Sequence, residues 1–174
     1  RRSKIKSLYI MRHGEAEARN AEGDTARALT PRGIAECRRL AAHLKDAGAA
    51  WDAILCSNAR RAHESAQLLA GAMESPPPLE VREDLNLASA ETLLAVLRTL
   101  PEEAHAVLLV AHNPGVHAVV RLLAGSGGGR AARKAARDFP AGALVRLTSD
   151  STAWAHLAPG TAMLRAFITP NELS

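Results

Sequence analysis

Residues 8–20 read "LYIMRHGEAEARN", and they place Arg12-His13-Gly14 directly after a short apolar run. "SLYIM" has the length and composition of a buried strand. A guanidinium and an imidazole at the exposed end of a strand point to a place where an anion is held and attacked.

Outward from this strand, short apolar runs alternate with helical patterns. "TPRGIAECRRLAAHLKDAG" offers Thr30 as N-cap, Pro31 at the first helical position and Gly48 as the stop. The strand "DAILCS" and the helix "NARRAHESAQLLAGAM" follow, then a break at "SPPP" (75–78), a strand "LEVRE" and a helix "SAETLLAVLRTL". "AVLLVAH" (106–112) predicts a central strand buried on both faces, and "PGVHAVVRLLAG" the helix after it. "GALVRLTS" and "WAHLAPGTAMLRAFIT" predict strands near the end of the sheet, and "GSGGG" (125–129) a loop. This alternation predicts a three-layer α/β/α fold with a mostly parallel sheet.

The 174 residues are expected to form one domain (1–174), with 1–6 as a basic tail. Aromatic residues make up 3%, so the core must be aliphatic, with Trp51 and Trp154 as packing residues. No apolar run reaches the ~20 residues of a membrane span, and "RRSKIKS" lacks a signal peptide's apolar core, so a cytoplasmic location without a membrane partner is expected. Cys37 and Cys56 read as free thiols rather than metal ligands. The net charge of +4 favours anionic partners, and the lack of basic-aromatic interleaving argues against nucleic acid. Nothing in the pattern specifies an oligomeric state. Arg130, Arg133, Lys134 and Arg137 repeat at helical spacing, which gives a solvated basic face or a docking surface for an acidic partner.

In such folds ligands gather beyond the carboxyl ends of the strands. Three strand ends carry suitable groups: Arg12-His13, the segment from Ser57 to Arg61, and His112. Converged, two histidines and two arginines make a site for a phosphate dianion, with a neutral imidazole as nucleophile.

"RHG", "SNARRA" and "AH" at these strand ends resemble the histidine phosphatase (phosphoglycerate mutase-like) superfamily. The size, "DTARALTPRG" (24–33) and "FPAGALVRL" (139–147) are similar to its SixA-like phosphohistidine phosphatases. The resemblance runs from Leu8 to about Leu147 and implies a phosphoglycerate mutase-like fold. It also implies a metal-independent phosphatase, without cofactor, that works through a phosphohistidine enzyme intermediate. On this resemblance His13 is the nucleophile, Arg12 and His112 complete the phosphate pocket, and Arg27 contacts phosphate or substrate. The family's S-P-x-x-R-A segment appears as Ser57-Asn58-Ala59-Arg60-Arg61-Ala62, which selects Arg61 over Arg60 as the second phosphate arginine. Attack by His13 requires one bare ring nitrogen, the other being fixed by a backbone carbonyl in a turn that Gly14 allows. His112 is expected to be protonated against the dianion.

The departure from the family concerns the general acid. Asn113 stands where many members have an aspartate, and Glu15, Glu83 and Asp84 are candidates without a clear match. An acid-poor site disfavours alkyl esters, whose alkoxide needs a proton, and favours phosphohistidine in a protein. The alternatives are a small-molecule phosphatase (sugar phosphate, nucleotide or polyphosphate) and a non-catalytic phosphate-binding module. His43, His63, His105, His117 and His156 have no matching context and are expected to be structural or exposed.

Overall fold

The computed structural model describes residues 5–125 and 127–173. Six strands form one mixed sheet in the order β3-β2-β4-β1-β5-β6. They are β1 (Lys6–Arg12), β2 (Ala53–Ser57), β3 (Leu79–Arg82), β4 (Ala106–Ala111), β5 (Leu144–Ser149) and β6 (Met163–Ile168). Pairs β3–β2, β2–β4 and β4–β1 are parallel, while β5 runs antiparallel to both β1 and β6.

Helices α1 (Pro31–Asp46) and α2 (Arg60–Ala70) cover one face of the sheet; α3 (Ala90–Arg98), α4 (Gly115–Ala124) and α5 (Gly129–Arg137) cover the other. Strand β4 shows why the sheet is a middle layer. Val107, Leu109 and Ala111 point to the α3–α5 side, and Leu108 and Val110 to the α1–α2 side, all essentially inaccessible. The two-residue period of a strand thus feeds two cores. Truncating Leu108 or Leu109 to alanine should cost about 2–5 kcal/mol.

Helix α1 begins as its sequence predicts: the Thr30 hydroxyl accepts from the Gly33 amide at 2.9 Å, and Pro31 opens the helix. Gly48 takes a φ of 76° just past its end. Cys37 and Cys56 are buried free thiols, and burial pushes both pKa values up to about 11. Both tryptophans are buried, and the Trp154 indole donates to Ala104 O at 2.7 Å.

Three expectations need correction. Of the basic tail 1–6, residues 1–4 lie outside the described residues, but Lys6 opens β1, is buried, and donates through Nζ to Glu102 O and Ala104 O. The segment from Trp154 is not strand throughout: Trp154–His156 is a 3-10 turn held by the indole bond, and pairing with β5 starts only at Met163. In the predicted glycine loop 125–129, Gly129 already belongs to α5.

The register fixes the site. Arg12 of β1 lies beside Ala111 of β4, and Cys56 of β2 beside Val110. The residues that follow, His13, His112 and Ser57, therefore emerge together at one edge of the sheet.

Candidate active site

At this edge the structure brings together Arg12, His13, Arg61 and His112. The two imidazoles meet edge-on with ring centroids 5.1 Å apart. His13, Arg61 and His112 are 8%, 2% and 2% exposed, so charge on them is weakly screened.

His13 has its tautomer set by its neighbours. Nδ1 lies 2.8 Å from Gly14 O, and a carbonyl can only accept, so Nδ1 carries the proton. Nε2 is left bare, and Nε of Arg61 donates weakly to it across 3.4 Å. Burial, and then the Arg61, Arg12 and Arg27 charges, push the His13 pKa down to about 4 against the opposing pull of the Gly14 bond. Near neutral pH the ring is uncharged.

Gly14 supplies the expected carbonyl, but a tight turn is not the reason it is glycine. A Cβ there would lie 2.9 Å from Cys37 Sγ and 3.3 Å from Leu29 Cδ2, so close packing against α1 is what excludes a side chain. The Gly14 amide donates to Ser65 Oγ at 2.9 Å, and that hydroxyl donates to Arg61 O at 2.7 Å. One serine in α2 thus ties the loop carrying His13 to the turn carrying Arg61.

His112 Nε2 lies 2.8 Å from Ser57 Oγ, and Nη2 of Arg61 donates to its Nδ1 across 3.4 Å. An arginine only donates, so Nδ1 accepts and Nε2–H donates to the serine. Burial, with the charges of His13 and Arg61, pushes its pKa down to about 3. The protonated state expected from sequence is therefore not that of the site without an anion; a proton can be held there only when a dianion offsets the neighbouring cations.

Arg61, not Arg60, faces the site. Arg60 is the exposed helical neighbour, with Nε 3.5 Å from a Glu64 oxygen in an i,i+4 pair. Arg12 donates from Nη1 to Phe139 O at 3.1 Å, while its buried Nε has no partner. An unpartnered buried guanidinium N–H is a donor available to an oxyanion. Arg27 stands at the rim, donating from Nε to Glu17 O at 2.7 Å.

The proton-donor candidates are placed elsewhere. Glu15 accepts from the Thr30 hydroxyl at 2.9 Å, beside the start of α1. Asp84 is engaged by Arg82 at 2.7 and 2.9 Å, and Glu83 is exposed in the same 3-10 turn. Among the described residues, no hydrogen bond or ion pair joins any of the three to the four clustered side chains. Asn113 is used structurally: Nδ2 donates to Phe139 O at 2.9 Å and Oδ1 accepts from the His117 amide in α4. His117 itself bonds Ala136 O, and His43 and His156 are exposed.

Asp24 is the residue the sequence reading missed. Its Oδ2 lies 3.1 Å from Nη2 of Arg61, its Oδ1 2.9 Å from Nη1 of Arg27, and its backbone oxygen accepts from Nη1 of Arg61 at 2.8 Å. The bond to Arg27, reinforced by Arg61, holds its pKa below the usual carboxylate range. Among the described residues it is the sole carboxylate bonded to any of the four clustered groups, and near neutral pH it is ionised. The i,i+3 spacing of Asp24 and Arg27 was the available signal.

Comparison with known proteins places the chain in a family. Residues 8–90 match the model of the histidine phosphatase superfamily (branch 1). An uncharacterized protein of Mycobacterium leprae is 32% identical over 148 residues, covering 84% of this chain and 89% of its own. The structure of a SixA protein from Nakamurella multipartitia superposes with a TM-score of 0.82 at 29% identity, covering 95% of this chain and 96% of the other. The protein histidine phosphatase SixA, complexed with tungstate, gives 0.79 at 25% identity, covering 97% and 99%. The chain belongs to the histidine phosphatase superfamily, in its SixA-like branch, and is a phosphatase.

Proposed function

We propose that the protein removes phosphate from phosphohistidine carried by another protein, through a phosphoryl group held transiently on His13. The observation that carries this reading is the bare Nε2 of His13, with Nδ1–H committed to Gly14 O. Nε2 attacks phosphorus as the P–N bond to the substrate imidazole breaks. Arg12, Arg27 and Arg61 are the substrate-binding guanidiniums, and His112 completes the pocket once the dianion has raised its proton affinity. Water then attacks phospho-His13, the P–Nε2 bond breaks, and the lone pair returns to the ring as inorganic phosphate leaves. The charges come from side chains, and the mechanism uses no metal.

The substrate assignment rests on proton supply. A phosphohistidine ring takes its proton from solvent before leaving, whereas an alkoxide needs a positioned donor. Asp24, kept ionised by two arginines, is no such donor near neutral pH. A fold neighbour is complexed with tungstate, a tetrahedral oxyanion, which supports a phosphate-like ligand for a protein of this fold.

The test is kcat/KM on a phosphohistidine peptide against a sugar phosphate. The peptide and phosphoramidate should be hydrolysed much faster, with activity unchanged by EDTA. A sugar phosphate preferred by tenfold or more would instead establish a small-molecule phosphatase with an acid this site does not display.

A further inference from the structure

Helix α5 carries Arg130, Arg133, Lys134 and Arg137 on its exposed face and no acidic residue. With those four set aside, 18 Lys and Arg residues remain against 18 Asp and Glu in the whole chain, so the formal net charge of +4 equals that of this one helix. Its opposite face is alanine: Ala131, Ala132 and Ala135 pack on the core.

The arrangement opposes the helix's own stability. Spacings of three and four residues set the cations beside one another as four like-charge neighbour pairs; the helix dipole disfavours Arg130 at its N-terminal end and favours Lys134 and Arg137 in the last turn, so the mutual repulsion is what stands uncompensated. Among the described residues, Lys134 alone of the four has an acidic partner, Glu172 at 3.2 Å. Among the described residues, Arg130, Arg133 and Arg137 have none. An acidic surface laid across the helix would relieve this repulsion.

The helix also ends at the active site. Arg137 precedes Asp138, whose charge acts on Arg12, and Phe139, whose carbonyl accepts from both Arg12 and Asn113. At 1.5 Å per residue the ridge extends about 10 Å from Arg137 to Arg130, away from the phosphate pocket. A protein presenting phosphohistidine to His13 would lie with its neighbouring surface on α5.

We infer that this face of α5 is the docking ridge for an acidic surface of the phosphorylated protein substrate, an inference that rests on the proposed protein-phosphohistidine reading. A nucleic acid fits less well, because the exposed face has no aromatic side chain for base stacking. A membrane surface fits less well too, because the apolar side of the helix is already packed against the core.

The full chain is assayed on phosphoramidate and on two phosphohistidine peptides of equal length. One peptide carries a run of glutamates, and the other has glutamine in their place. The acidic peptide should have a KM lower by on the order of tenfold at low salt, with the advantage shrinking as salt is raised. The triple variant Arg130→Gln, Arg133→Gln, Arg137→Gln should erase the difference through KM, with kcat and phosphoramidate hydrolysis unchanged. Equal KM values in the wild type, or a preference that survives the triple substitution, would overturn the ridge. So would stronger inhibition by a single-stranded oligonucleotide than by the unphosphorylated glutamate peptide. If the wild type hydrolyses no P–N substrate, the phosphohistidine reading of the site fails instead. The ridge is then judged by affinity for the unphosphorylated glutamate peptide, which the triple variant must weaken if the ridge is real.

Discussion

The Asp24 carboxylate lies 3.1 Å from Nη2 of Arg61, the same nitrogen that reaches His112. If Arg61 binds phosphate as proposed, a phosphoryl oxygen and this carboxylate compete for one donor. The Asp24 backbone oxygen also holds Arg61, so the guanidinium keeps an anchor when the carboxylate charge is removed.

Asp24→Asn should accordingly tighten inhibition by inorganic phosphate or tungstate by roughly 3- to 30-fold, because a negative charge a few ångströms from the bound dianion is gone. The inhibition constant measures this directly. Weaker inhibition would mean that the carboxylate chiefly orients Arg61.

Arg61→Ala removes a charge-assisted donor from a buried site and should cost about 2–4 kcal/mol of transition-state stabilisation, or ~30- to 1000-fold in kcat/KM. Arg60, with its side chain 56% exposed, should tolerate alanine with a change of less than about threefold. The reverse ranking would displace the phosphate site by one residue along α2.

Both site histidines are uncharged in the folded protein well below an ordinary imidazole pKa. Their folded values of about 4 for His13 and about 3 for His112 lie beneath the ~6.5 of an unfolded chain. The unfolded chain therefore binds more protons as pH falls through this window. The stability contribution is fully present above about 6.5 and is lost as the pH approaches the folded values. Imidazole nitrogen NMR should show neither ring titrating above about pH 5, and Tm should fall between pH 6.5 and 4. A midpoint near 6.5 for His13 would contradict the burial argument.

Gly14→Ala should destabilise the fold by about 1–3 kcal/mol and lower activity, since the added methyl meets Cys37 Sγ at 2.9 Å. Adding Cys37→Ala should recover part of both losses in a thermal melt and a rate assay. No recovery would locate the strain elsewhere, at Leu29 or Gly33 O, the other atoms that the methyl would approach.

Much of this site was legible because its signals are local. The apolar runs of β1, β2 and β4 end at His13, Ser57 and His112, and Thr30-Pro31 announces α1. Arg61 was separated from Arg60 by the likeness of residues 57–62 to the family's S-P-x-x-R-A segment, and the structure turns Arg60 to solvent. For Asp24 only the spacing to Arg27 was legible; its bond to Arg61 was not, since that partner is 37 residues away and the carboxylate itself is half exposed. The reason for Gly14 was hidden likewise, because the atoms it must clear belong to Leu29 and to α1, distant in sequence. Around Trp154 the apolar pattern suggested strand, but Trp154–His156 form a 3-10 turn whose indole, buried in the core, donates to Ala104 O.

The central claim is that His13 carries the phosphoryl group, and rapid quenching of the enzyme with a phosphohistidine peptide tests it most directly. The account predicts an acid-labile, base-stable phosphoryl group on Nε2 of His13, formed and lost at the rate of turnover, absent in His13→Ala and still formed in Arg60→Ala. Unchanged labelling in His13→Ala, or turnover of the peptide by that variant at the wild-type rate, would contradict it.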